Sequence, residues 1–390
     1  MAETVVSQDR PSRGENSPTE TMTAGVKFRV ARFDDYSQIT ALEASGELGS
    51  RSREEWEHLW INNPVYQRLN NWPIGWVAEN GAGEIVGSVG NVPVSYFLNG
   101  REMIAGTIRS VVVDPRYRGQ GHAATLTNAF MQQEGADCVV ISSANNYSFR
   151  LFEKVGFSRV PTGEWDRTQF WITNYHGFLA SALESKGWPR VLSYPTAGVL
   201  SLRDRLTRVR PWVQENRYEV SYSTEFDERF EVFWEELKHT YPGRLQATRS
   251  LQVLQWHFRY PLQQQRMWIL TAGSDSRIIA YAIFLRHDNE RLNLKRVRLV
   301  DFQVLNEEDT RLAVPMLSWA SLRCHDEGVH MLEAYGFAGE KRWVIDKVAP
   351  YDRCLHLWSS YYASRHAEVR QQLQDPGIWD PSHYEGDASL

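Results

Sequence analysis

The sequence predicts an α/β chain of the α+β kind: a mixed, mostly antiparallel sheet flanked by helices, built in tandem. Three observations lead there. Between Ile74 and Val113, three strand-like runs are separated by Asn80-Gly81 and Asn99-Gly100, both strong hairpin signals. The last run passes through Val111, Val112 and Val113 into Asp114-Pro115, a glycine turn and then helical periodicity. The second half repeats this outline: 32 positions separate Val113 from Asn145, and 32 separate Val304 from Gly336. In each pair the second landmark ends a strand, which reads as a degenerate duplication; chance likeness of two α/β segments is the alternative.

Composition narrows the class. A chain of 390 residues suggests about two domains. A net charge of −5 and a pI near 6.2 argue against a general nucleic-acid binder. There is no apolar run of about 18 residues for a membrane span and no secretory signal pattern. Three cysteines, Cys138, Cys324 and Cys354, without CxxC or His/Cys ligand spacing, fit a reducing cytoplasm with no disulfide framework and no metal site. The abundant Trp and Tyr read as core and interface packing rather than sugar platforms.

In order along the chain, residues 1–25 lack large apolar side chains and read as a mobile tail. Residues 26–175 form the first unit. It opens with a strand at Val26 to Phe33 and a helix capped at Asp34-Asp35. A helix at Arg53 to Trp60 is stopped by Asn62-Asn63-Pro64. After the three strands and the glycine turn, Ala123, Leu126, Phe130 and Met131 mark one helix face, which Gly135 ends. Cys138 to Ile141 reads as a buried strand, Asn145 to Val155 as a helix, and Phe157 to Val160 as the closing strand. Residues 176–217 read as a linker, with a helical stretch at Phe178 to Lys186; its Arg203, Arg205, Arg208 and Arg210 read as a solvated face. Residues 218–375 form the second unit and 376–390 a C-terminal tail, mobile unless its aromatic residues dock it.

The turn from Arg116 to Ala123 carries the clearest chemistry. Strand, basic glycine turn and helix in that order expose consecutive N–H groups at a helix N-terminus, which suits a phosphate. Arg116 and Arg118 add bidentate donors. The second half has Asn306 to Arg311 at this place, with Glu307, Glu308 and Asp309 and no glycine, so it should repel a pyrophosphate.

These residues resemble the GCN5-related N-acetyltransferases (GNAT). Arg116-x-x-Gly119-x-Gly121 is similar to their glycine motif, and Asn145, Ser148, Leu151, Phe152, Glu153, Lys154, Gly156 and Phe157 to their following motif. The likeness covers about Val26 to Val160. The second half looks like a cofactor-free copy of the same fold. The resemblance implies acetyl-CoA or another acyl-CoA as co-substrate and no metal. It implies pantetheine contacts from Val111, Val112, Val113 and Asn145. It places the pyrophosphate against Arg116, Arg118, Gly119, Gln120, Gly121, His122 and Ala123. Catalysis would then be mostly proximity, with a backbone N–H near Val112 polarising the thioester carbonyl.

One departure stands out: Phe152 occupies the place of the family's usual Tyr acid. Tyr147 is the candidate substitute, packing or helix capping being the alternative. For the base, Glu79, Glu102 and Arg109 lie on nearby strands, Arg109 suiting an anionic acceptor or a salt bridge. Some tandem members use the chain's C-terminal carboxylate, which would make Leu390 the catalytic base. The expected function is acyl-CoA-dependent N-acyl transfer to a small-molecule acceptor such as an amine, amino acid or amino sugar. The alternatives are long-chain or O-acyl transfer to an amino acid or sugar, and a non-catalytic CoA-binding sensor or scaffold.

Overall fold

The computed structural model describes residues 21–23, 25–46, 48–49, 51–144, 148–161, 167–207, 219–354, 359–387 and 389–390. In chain order the strands are β1 (Thr21–Thr23), β2 (Val26–Val30), β3 (Gly75–Glu79), β4 (Ile85–Leu98), β5 (Arg101–Val113), β6 (Cys138–Ala144), β7 (Ser158–Arg159) and β8 (Arg167–Ile172). They continue with β9 (Val220–Ser223), β10 (Gln246–Ala247), β11 (Met267–Ser274), β12 (Arg277–Arg286), β13 (Arg296–Val304), β14 (Met331–Tyr335), β15 (Tyr351–Cys354) and β16 (Ser359–Ala363).

Local signals explain the first meander. Asn99 and Gly100 have φ of 53° and 75°, the two left-handed residues that a tight β4–β5 turn demands. The β3–β4 loop is wider. The Asn80 side chain accepts from the amides of Ala82 and Glu84, and Gly83, not Gly81, supplies the left-handed residue. Ser52 caps the helix Arg53–Ile61, and Asn63 at its end caps the next helical turn, Pro64–Gln67.

The two sheets share one strand order. The first runs β1-β2-β3-β4-β5-β6-β16-β7, with β10 beside the distal part of β4; the second runs β15-β8-β14-β13-β12-β11-β9. Each is an antiparallel meander, one parallel pair (β5 with β6, β13 with β14) and then two antiparallel strands. A crossover helix joins each parallel pair, His122–Met131 in one and Ala313–Asp326 in the other. Both meanders end where the sequence placed their landmarks, at Val113 and Val304.

The halves exchange strands. β8, within the 26–175 unit of the sequence reading, pairs with β14 and β15 of the second sheet; β16, within 218–375, lies between β6 and β7 of the first. Side-chain alternation says which face of a strand is buried but not which sheet it joins. The core is shared too. The helix Glu228–Thr240 carries Phe230, Phe233, Trp234 and Leu237 on one face, and they cluster with Tyr96 and Met103 of the first sheet and Tyr281 of the second.

Three stretches differ from expectation. Thr21–Thr23, inside the predicted N-terminal tail, pairs with β2; residues 1–20 lie outside the described residues. The predicted linker holds the expected first helix, Tyr175–Glu184, and a second, unexpected one, Ser193–Thr207; Arg203 is exposed, and the side chains of Arg205, Arg208 and Arg210 lie outside the described part.

The third is the C-terminal tail, which is docked rather than mobile. Trp379 and Tyr384 are buried. The Tyr384 N–H donates to the Val300 carbonyl at 3.0 Å, and the Phe337 N–H donates to the Pro381 carbonyl. The Lys341 ammonium donates to Asp380 at 2.6 Å, while Arg249 joins Asp301 to Glu385. Composition registers the aromatic residues of the tail but not the distant charges that hold its carboxylates. The tail thereby fills the place where β13 and the turn after β14 diverge.

Candidate functional site

β5 and β6 run parallel yet pair only at Ala105 with Cys138 and Gly106 with Val139. The Thr107 hydroxyl then donates to the Val140 carbonyl at 2.8 Å, and beyond it the strands part. On its other side β5 carries a bulge: Ser88 faces Val112 but Gly90 faces Arg109, and the intervening Ser110 has φ 54°. A bulge bends its strand and re-aims neighbouring side chains. Here it lies beside the gap and leaves the β6-facing groups of Val111 to Val113 without a strand partner.

A cavity of about 630 Å³ opens at the gap and reaches the second sheet. Its first-half wall includes Arg109, Ser110, Val111, Ser142, Ser148 and Phe152. The wall opposite carries Thr168, His287, Arg296, Arg298, Glu333 and Arg353. Arg51 and Leu390 line it as well, and both also line a second cavity of about 330 Å³ beside Trp256 and Tyr260.

The tail reaches this junction from its anchor in the second sheet. Asp387 accepts the Ser142 N–H at 2.8 Å, and His257 and Ser389 meet at 2.7 Å. Arg51 Nη2 and Arg109 Nη1 then donate to the Leu390 carbonyl oxygen at 2.7 and 3.3 Å. Burial lowers the pKa of both guanidiniums; that of Arg51 falls to about 9, the charge of Arg109 adding to the effect. Two partly buried like charges thus share one oxygen acceptor at the end of the tail.

The glycine turn keeps the expected backbone. Gly119 and Gly121 have φ of 77° and 88°, and Gly121 precedes the helix His122–Met131. A Cβ at either glycine would meet nothing within 4 Å, so backbone conformation, not crowding, selects glycine there. Arg116 is drawn back onto Asp114 at 2.8 Å rather than aimed over the turn. Arg118 Nε donates to the Val113 carbonyl at 3.1 Å, and Gln120 is exposed. The His122 ring is buried beside Phe28 and Tyr117, so its backbone N–H is what it can offer a ligand. The Ala123 side chain packs against the core, where Val112 and Val113 are also buried, whereas Val111 faces the cavity.

Asn145 and Tyr147 lie outside the described residues. Glu79 is held by Arg29 Nε at 2.7 Å and Glu102 by Arg68 Nη1 at 2.8 Å, and neither lines the cavity. Phe152 is buried against Phe157 and Tyr361 and brings no hydroxyl to the wall.

Sequence reasoning missed the opposite wall. Arg296 and Arg298 alternate with apolar residues on an otherwise buried strand, and that pattern of charge pointing to one face was the available signal. Burial pushes the Glu333 carboxyl up, but Arg298, Arg296 and Arg353 outweigh it and hold the pKa at about 2. Burial, with Arg298 and Arg296, brings His287 down to about 3, and the same forces keep His383 well below its usual value, so both rings are neutral.

Comparison with known proteins bears on the fold. Residues 71–159 match the family model of the acetyltransferase (GNAT) domain. The fold of nearly the whole chain is similar to that of Saccharomyces cerevisiae N-myristoyltransferase with bound myristoyl-CoA, at a TM-score of 0.58 and 10% identity over 94% of this chain and 86% of that one. A GCN5-related N-acetyltransferase from Kribbella flavida gives 0.53 and 12% identity over 90% and 72% of the two chains. One from Anabaena variabilis gives 0.51 and 12% identity over 86% and 72%. No curated protein matches the chain.

Proposed function

We propose that this chain, an acyltransferase by its GNAT domain, moves a short acyl group, acetyl first of all, from CoA to the amino group of a small acceptor in the cavity between the two sheets. The observation that carries this reading is the parting of β5 and β6 just ahead of the glycine turn. The open strand edge and the two left-handed glycines fit an extended pantetheine arm ending in a pyrophosphate.

Acyl-CoA, when bound, supplies an activated thioester. The chain's own residues do the rest. Val111 to Val113 offer main-chain groups to the pantetheine, and the likeness to the GNAT motif gives Asn145 the same partner. Arg118 to Ala123 offer N–H groups to the pyrophosphate, and Arg116, paired with Asp114 here, would have to leave that carboxylate to reach it. A backbone N–H near Val112 polarises the carbonyl where negative charge develops. The Leu390 carboxylate, hydrogen-bonded by Arg51 and Arg109, takes the proton of the attacking amine. Tyr147, next in sequence to Ser148 at the cavity wall, is the candidate donor to the departing thiolate.

Acyl length follows from the cavity. The yeast enzyme above holds myristoyl-CoA, but here five arginines line the space beyond the gap, and an alkyl chain laid against them would desolvate charge. Acetyl-CoA should therefore outperform octanoyl- and myristoyl-CoA in a thiol-release assay against a panel of amines.

Calorimetry and that assay together form the test. Gly121→Glu forces a side chain into φ 88° and sets a carboxylate beside the pyrophosphate, so CoA affinity should fall at least about 100-fold. Unchanged affinity would overturn the site. Deleting Leu390 should lower the rate by about 10²–10⁴ while CoA still binds; an unaffected rate removes it as the base. CoA binding with no transfer to any acceptor would leave a sensor, not an enzyme.

A further inference from the structure

We infer that the second-sheet wall of the cavity binds an anionic group of the acceptor, a carboxylate or a phosphate, and so holds the acceptor's amino group toward the gap between β5 and β6. This deepens the acyl-transfer reading and rests on it.

Three guanidiniums converge on one carboxylate. Arg296 and Arg298 stand two residues apart on β13 and share a face, and the parallel register sets Arg298 beside Glu333 on β14. Arg353 comes from the edge strand β15. Glu333 Oε1 accepts from Arg298 Nε at 2.5 Å and lies 3.5 Å from Arg296 Nη1, while its Oε2 accepts from Arg353 Nη2 at 2.6 Å. The Glu333 side chain is 2% exposed, against 13%, 14% and 33% for Arg296, Arg298 and Arg353. One carboxylate cannot neutralise three half-buried cations, and two positive charges remain.

The neighbouring acidic groups are already engaged. His287 and His383 are neutral, as above. Asp288 accepts the Arg296 backbone N–H at 3.0 Å and acts on the Arg296 guanidinium, but it is paired with Arg286; Asp352 is engaged by Arg167, and Asp387 accepts from Ser142 on the opposite wall. The wall also holds unused donors: Arg353 Nε and the Thr168 hydroxyl are buried without a partner among the described residues. Excess buried charge and orphaned donors are costly unless something answers them. Here they border a cavity large enough for a small metabolite. The residues of the glycine turn do not line this cavity, so the cluster is separate from the pyrophosphate site.

The test uses the full chain saturated with CoA, so that the glycine turn is occupied, and titrates inorganic phosphate and malonate by calorimetry at constant ionic strength. At least one should bind saturably in the millimolar range. Arg353→Gln and Arg296→Gln should each weaken it about tenfold or more. Arg353 is the gentler choice, since it lies at a sheet edge and Glu333 keeps Arg298; circular dichroism checks that both variants fold. Tighter phosphate binding indicates a phosphorylated acceptor and tighter malonate binding a carboxylate. If neither anion binds, or if both variants bind as well as the parent, the inference is overturned. The titration needs no turnover, so a failed transfer assay and a failed anion site are told apart.

Discussion

Arg249, with a side chain only 2% exposed, donates to Asp301 at 2.8 Å and to Glu385 at 3.0 Å. Asp301 also accepts from Tyr281 and Gln303; against the upward push of burial, these bonds and Arg249 hold its pKa below the usual value. Glu385 has the weaker share, and burial raises it from 4.5 to about 7 in spite of Arg249. The folded chain therefore keeps a proton that the unfolded chain releases near 4.5. The resulting stability is complete below that pH and is lost as pH rises through about 7. The loss should approach about 3 kcal/mol. Urea unfolding between pH 4.5 and 8 should show this decline in the parent and a flatter profile in Glu385→Gln, which keeps a hydrogen-bonding partner for Arg249. Parallel profiles would mean that Glu385 is ionised throughout. At this scale the sequence was legible where chemistry is local. The glycines of the turn declare themselves by spacing and by φ, whereas Arg249 and Glu385 stand 136 positions apart and no local pattern joins them.

The docked tail explains why one unit keeps an open gap beside its parallel strands and the other does not. In the first unit the parallel strands part and leave an open gap; in the second the chain's own residues 380–385 fill the corresponding place. The turns follow suit. Gly119 and Gly121 expose N–H groups, while Glu307–Leu312 closes into a 3₁₀ turn with three acidic residues at its start. Gly336 is the element's tightest point. It has φ 88°, and a Cβ there would come 2.5 Å from the Pro381 carbonyl oxygen. Gly336→Ala should cost about 2 kcal/mol or more, from backbone strain and displacement of the tail. Limited proteolysis should then cut within 376–390, and transfer should slow because Leu390 is no longer held at Arg51 and Arg109. Gly83→Ala is the control: its φ of 80° is strained as well, but nothing lies within 4 Å, so stability should fall without exposing the tail. Equal proteolysis of the two variants would show that Gly336 does not fasten it. The hairpins, crossover helices and glycine turn could be read from sequence because each is stabilised within a few residues. The tail could not, because its partners come from β13, Lys341 and Arg249.

At the scale of the whole molecule, the repeat visible in the sequence predicted two units but not their interdependence. β16 pairs with β6 at four positions and with β7 at two; β8 pairs with β14 at five and with β15 at four. A fragment of residues 26–175 would carry β8 without its sheet and leave the edge of β6 bare, beside a core that has lost Tyr361. It would also uncover Tyr96, Leu98 and Met103, which pack against Phe233, Trp234 and Leu254 of the other half. An unpaired strand edge next to exposed apolar surface favours aggregation over folding. Residues 26–175 alone should therefore be insoluble or lack fixed tertiary structure. Co-expression with 176–390 should restore a soluble complex that binds CoA. The full chain should unfold in one step, with tryptophan fluorescence and far-ultraviolet circular dichroism changing together. A fragment that folds by itself and binds CoA with the affinity of the full chain would show that the exchanged strands decorate two independent units. Failure of the fragment, with rescue by its complement, would place the gap between β5 and β6 among features that only the complete pair of sheets can build.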